Sequence, residues 1–203
     1  MTALALVVAV CQVGTVAGAE PATATAARKH PAAPIAWVYH EGRLLWPGDY
    51  SFSAAPFYAD TSGEPLSGTY DIKVSLTGPW GGFQPFARNW DFDAHGYAYL
   101  TFALKTTVAN QSLQIFFEKL GDVPVGVTLN PLKYGPAPVV GQWTTYKIPL
   151  ADLGVTGRIF KFAIQDQTGL KSNVFYLDDI GFLPPAPEGR LSQADEPPAA
   201  EKP

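Results

Sequence analysis

The sequence predicts an all-β fold: a jelly-roll sandwich of two packed antiparallel sheets, with disordered N- and C-terminal tails. Three observations carry that reading. Apolar and polar residues alternate with a period of two in one run after another. Turn signals rich in glycine and proline, such as Pro47-Gly48, Ser67-Gly68, Gly81-Gly82 and Gly135-Pro136, separate those runs. All five Trp, nine Tyr and twelve Phe lie between Trp37 and Phe182, so a single segment holds the aromatic core.

Residues 1–19 read as an export leader. Ala3 to Val10 is an unbroken apolar run, too short to span a bilayer, and Ala17-Gly18-Ala19 before Glu20 suits signal cleavage. The rival reading, a lipoprotein signal acylated at Cys11, is poorly served by the bulky Val10 just before it. Cleavage near Ala19 removes the only cysteine, leaving a mature chain without disulfide or thiolate. The expected location is therefore outside the cytoplasm, extracellular or periplasmic. Residues 20–34, rich in Ala, Pro and Thr, read as a linker, and the folded domain follows at 35–183.

Within that domain, strands are expected at Ile35–His40 and Tyr50–Tyr58. The next, from Tyr70 to Thr77, sets Tyr70, Ile72, Val74 and Leu76 against Asp71, Lys73, Ser75 and Thr77. In Tyr97 to Lys105, Leu100, Phe102 and Leu104 take one face, opposite Tyr97, Tyr99 and Thr101. Leu113, Ile115 and Phe117 oppose Gln114, Phe116 and Glu118. Trp143 to Pro149 places Thr144, Tyr146 and Ile148 together, and Ile159–Gln167 and Val174–Leu183 complete the set. Only Leu150 to Leu153 invites a helical turn, with Gly154 to stop it. Residues 184–203 are too polar and proline-rich to bury anything and form a tail.

Lys and Arg number 14 against 18 Asp and Glu, for a net charge of −4. Without a basic stripe, nucleic acid is not an expected partner, and no run is long enough for a membrane span. Neither Gly-x-Ser-x-Gly nor a P-loop occurs, and His30, His40 and His95 lack metal-ligand spacing.

Three segments resemble a known family. Gln142-Trp143-Thr144-Thr145-Tyr146-Lys147-Ile148-Pro149-Leu150 with Leu153-Gly154 is similar to the WxxYxIPLxxLG segment of galactose-binding-like sandwich domains. Phe175-Tyr176-Leu177-Asp178-Asp179-Ile180 resembles their closing FYxDDI strand, and Ser67-Gly68-Thr69-Tyr70-Asp71-Ile72-Lys73-Val74 their SGxYxIxV strand. The resemblance covers roughly residues 37–183 with the segments in the family's order. It implies a non-catalytic carbohydrate-binding module that takes a polysaccharide or oligosaccharide and works beside a separate polysaccharide-degrading enzyme. It also implies a structural calcium, with Asp178 in the ligand place of the closing strand and Glu41 as its first-strand partner. An ordinary capped or salt-bridged aspartate is the competing account of Asp178.

The residues themselves suit sugar recognition, which needs flat rings for C–H faces and amides or carboxylates for hydroxyls. Trp80-Gly81-Gly82-Phe83-Gln84 joins a ring, an opened backbone and an amide, and Trp90 follows on a polar stretch. Tyr97 and Tyr99 share one strand face, as do Gln165 and Gln167. The candidate binding residues are thus Trp80, Gln84, Trp90, Tyr97, Tyr99, Gln165 and Gln167; for each ring alone, plugging the sandwich is the competing role. Glu118, Asp91, Asp93 and Asp166 leave open a small jelly-roll hydrolase or lyase, although no spacing singles out a catalytic pair. A cell-surface module whose rings meet another protein is the third alternative.

Overall fold

Nine strands of five to ten residues carry the architecture in the computed structural model, which describes residues 34–186. They are β1 (Ala36–His40), β2 (Ala54–Asp60), β3 (Asp71–Leu76), β4 (Tyr99–Thr106), β5 (Leu113–Lys119), β6 (Val123–Leu129), β7 (Trp143–Pro149), β8 (Lys161–Asp166) and β9 (Val174–Leu183). The expected leader, linker and tail fall outside the described residues except at their innermost positions.

All pairings are antiparallel. The larger sheet runs β7-β4-β9, after which β9 divides: Val174–Leu177 pairs with β3, and β3 with β2, while Ile180–Phe182 pairs with β1. The smaller sheet runs β6-β5-β8 and continues through Gly82–Phe83 and Pro85–Phe86 to Gly48–Asp49. Two layers with this alternation are the all-β sandwich that the sequence predicts.

The inward residues of both layers meet in an aromatic core. Phe117 of β5 and Phe162 of β8 lie 5.5 Å apart between ring centres, and Phe182 of β9 stands 6.1 Å from Phe162 across the layers. The fully buried Tyr39 and Tyr146 have acceptors for their hydroxyls: the single Tyr39 proton is shared between the carbonyls of Tyr70 and Tyr58, and Tyr146 donates to that of Pro136.

Three departures from the expected elements have physical causes. The first is that the Tyr50–Tyr58 run starts its strand only at Ala54, because Ser53 turns to φ 46 and leaves Phe52 to a single bridge with Gly82. The second is β6, whose sequence VPVGVTL hides its alternation behind Pro124 and Gly126. Such residues are tolerated at a sheet edge, where half the ladder is unpaired. The third lies in β9. Asp178 and Asp179, adjacent in sequence, are separated by a bulge: Asp179 sits at φ 47 and the register with β4 shifts between Asp178 and Gly181. Both carboxylates consequently reach Ser67, Asp178 through its N–H and Asp179 through its hydroxyl.

Candidate functional site

The outer face of the smaller sheet is set by the period of β5 and β8. Burying Leu113, Ile115 and Phe117 turns Gln114, Phe116 and Glu118 outward, and burying Phe162 and Ile164 does the same for Lys161, Ala163 and Gln165. The register sets Gln114 opposite Gln165, Phe116 opposite Ala163 and Glu118 opposite Lys161. A polar row, an apolar row and a charged row thus follow one another along the strands.

At the glutamine end stands Trp80. The residue is 51% exposed and its backbone lies at φ 62, a conformation that bulky residues rarely adopt. Gln165 Nε2 donates to its carbonyl at 2.7 Å, and Gly169 passes so close that a Cβ there would lie 3.2 Å from the indole. Beside the ring opens a hollow of about 450 Å³ lined by Trp80, Gln114, Thr128, Asn130 and Gln167. Strained, exposed rings of this kind collect at ligand-binding positions.

The charged end forms a second hollow of about 420 Å³, between Tyr50, Phe52, Gln84, Asp122, Phe160 and Lys161. Lys161 is only 7% exposed, with Nζ 2.6 Å from Asp122 and 3.0 Å from Glu118, and 5.1 Å above the Tyr50 ring. Burial by itself would lower the pKa of this ammonium, but the Asp122 and Glu118 carboxylates outweigh it and raise the pKa. Gln84, also buried, donates from Nε2 to Glu118 at 3.3 Å. Gly82 lets the Phe52 ring lie on this face, since a Cβ there would come within 2.9 Å of it. Past Leu120 and Phe160, a third hollow of about 330 Å³ is lined by Asn89, Asp91, Lys119 and Arg158.

The structure therefore brings Trp80, Gln84, Gln165 and Gln167 to one surface. Tyr97 packs instead against Phe92 and Phe182 at ring separations of 5.5 and 6.2 Å. Tyr99 belongs to the outer side of the larger sheet, 4.0 Å beneath Lys147 Nζ. These two tyrosines do not form a shared platform, because regular alternation begins only at Tyr99, where β4 starts. Trp90 closes a short 3-10 turn, Arg88–Trp90. Tyr50, Phe52, Asp122, Phe160 and Lys161 were not among the expected binding residues. The outward places of Phe116 and Glu118 could be read from the alternation of β5, whereas Tyr50 and Phe52 join the site only through tertiary contact.

The two members of the expected calcium pair each have partners within the protein. Asp178 Oδ2 accepts from the N–H groups of Leu66 and Ser67, both at 3.0 Å, and Oδ1 from that of Asp179 at 2.8 Å. Both oxygens of this buried carboxylate are thus satisfied by backbone amides. Glu41 points instead toward His40 Nε2, 3.8 Å away. Among the described residues no group of three or more His, Cys, Asp or Glu could hold a metal. The other carboxylates that the sequence left open for catalysis have partners: Asp91 binds Arg158, Asp93 binds His95, and buried Asp166 accepts from Gln111, Thr168 and Asn173.

No protein-family model matches the chain, and no curated protein matches it in sequence. Solved structures do match it in shape. The family 11 carbohydrate-binding module of a cellulosomal cellulase of Clostridium thermocellum superposes with a TM-score of 0.50 at 16% identity, covering 76% of this chain and 96% of the module. A family 30 carbohydrate-binding module gives 0.52 at 15% identity, over 75% of this chain and 99% of the module. The chain has the fold of these modules. An exo-β-agarase gives 0.54 at 11% identity, and there the match spans 75% of this chain but only 25% of the enzyme. Among the described residues no helix is long and apolar enough to cross a membrane.

Proposed function

We propose that this chain is a secreted, non-catalytic module that binds a polysaccharide or oligosaccharide on the outer face of its smaller sheet. The observation that carries the reading is Trp80: a large ring held at φ 62, half-exposed, above a hollow edged with amides. A ring so placed offers its face to the C–H side of a sugar, while Gln114, Asn130 and Gln167 stand within reach of hydroxyls. The fold shared with carbohydrate-binding modules supports the same reading. The leader-like residues 1–19 support export, and a separate polysaccharide-degrading enzyme is the partner such a module would serve.

A hydrolase or lyase is less well supported, because Glu118, Asp91, Asp93 and Asp166 are each held by a basic or amide partner of their own. Depletion of the protein from solution by a panel of insoluble polysaccharides tests the proposal, with Trp80→Ala as control. Retention by at least one glycan, lost in the variant, is the expected outcome. Release of reducing ends would move the protein to the enzymes; retention on none of the glycans would favour a protein-binding surface.

A further inference from the structure

The two ends of the groove differ in chemistry. At the Trp80 end the polar groups are neutral amides that already bond within the protein. Gln114 donates to Gln165, Gln165 to the Trp80 carbonyl and Gln167 to the Asp166 carbonyl, while Asn130 accepts from Leu132. What that end offers a ligand is mainly the face of an indole, which stacks on any pyranose with an apolar side.

At the other end Lys161 and Gln84 are buried, and both converge on Glu118 Oε2. Glu118 Oε1 accepts from no described residue, and of the three N–H groups on Lys161 Nζ two are directed at Glu118 and Asp122. Lys161, whose Nζ also lies 5.1 Å from the Tyr50 ring and 5.9 Å from that of Phe160, lines a hollow that Tyr50, Phe52 and Phe160 wall, and Glu118 with its second oxygen stands beside it on the same outward face. That pairing suits two neighbouring hydroxyls, one donating to the carboxylate and one accepting from the ammonium. Charge-assisted hydrogen bonds are roughly twice as strong as neutral ones. They also penalise a wrong partner more heavily, since a desolvated charge is left without its bond.

Resting on the carbohydrate-binding reading, we propose that the groove divides its work: Trp80 supplies affinity for sugar rings in general, and the Glu118–Lys161 end reads the configuration of adjacent hydroxyls and sets specificity. Glu118 and Lys161 are then the specificity-determining residues. The ligand class is a glycan of several pyranose units with vicinal hydroxyls free at one of them. The four-residue step from Gln165 to Lys161 spans about 13 Å, so a single sugar cannot engage both ends.

The test measures dissociation constants for β-1,4-linked oligomers of glucose and mannose of equal length, whose residues differ in the configuration of the C2 hydroxyl. Trp80→Ala is expected to weaken every oligomer that binds by a common factor of about ten, leaving the preference unchanged. Glu118→Gln is expected to shrink the preference about tenfold. Asp122→Asn, at an exposed turn with φ 59 that Asn tolerates, provides a second variant that disturbs Lys161 without endangering the fold. Thermal unfolding confirms that all three variants are folded. The division of work is overturned if Glu118→Gln and Asp122→Asn leave the preference intact, if Trp80→Ala changes it, or if the folded wild type binds both oligomers equally. Failure of the folded wild type to bind these or any other glycan overturns the carbohydrate reading itself, and the division with it.

Discussion

Asp71 lies directly opposite Asp60 across the β2–β3 pair, and its fully buried carboxylate accepts no hydrogen bond from a described N–H or hydroxyl group, which leaves Asp60 as the partner for its proton. Asp60 is better placed, accepting from the Ser62 hydroxyl and the Gly63 N–H. Burial, and after it the charges of Asp60 and Asp178, push the pKa of Asp71 up to about 7 from 3.8; Lys105 opposes them only in part.

A pH dependence of stability follows from that raised pKa. Below about pH 4 Asp71 is protonated in both folded and unfolded chains and its burial is least costly. As pH rises from about 4 to 7, the unfolded chain releases the proton and the folded one retains it, so stability falls through that window. A tenfold change in proton affinity corresponds to about 1.4 kcal/mol, so Asp71→Asn is expected to be more stable than wild type above pH 7 by about 2–4 kcal/mol. The gain should vanish near pH 4. Urea unfolding at several pH values checks it; a gain independent of pH would locate the effect elsewhere.

Trp80 allows strain and packing to be separated. Its φ of 62 costs any residue with a Cβ about 1–2 kcal/mol, and glycine almost nothing. Trp80→Gly is therefore expected to unfold at a higher denaturant concentration than Trp80→Ala, by about 1 kcal/mol, although both lose the ring. Equal stabilities would show that the left-handed backbone at this position carries no strain.

Asp178 ties the closing strand to the Leu66–Ser67 segment through backbone amides. Asp178→Ala would leave these N–H groups without their acceptor, at a cost of about 2–4 kcal/mol. Chelation with EDTA is expected to leave the wild-type unfolding midpoint where it is, since the backbone amides by themselves satisfy this carboxylate. A midpoint that falls on chelation and recovers with added calcium would reinstate Asp178 as an ion ligand.

A longer ligand should bind better than a short one. Because contacts at both ends of the groove share one cost of association, an oligosaccharide is expected to bind at least tenfold more tightly than its monosaccharide. Isothermal titration with a length series gives the answer. Equal affinity at every length would confine binding to one hollow.

The alternation Leu113-Ile115-Phe117 against Gln114-Phe116-Glu118 determined, with no structure, that β5 has a buried face and an outward one, because side chains on a strand must alternate. The same logic made β7 and β9 legible to the residue. It failed for β6, where Pro124 and Gly126 erase the pattern, and for Tyr97, which precedes the strand and is free to turn into the core. The chain order of Trp80, Gln84 and Gln165 likewise announced the polar chemistry of the site. Only the tertiary structure decided that Gln84 meets Glu118, that Lys161 lies between Glu118 and Asp122, and that Tyr50 and Phe52 wall the same hollow. Those contacts join residues more than 30 positions apart, and their register depends on how β5, β8 and the Gly82–Phe83 strand pair. A local periodicity can state which way a side chain points, but not which distant strand will stand beside it.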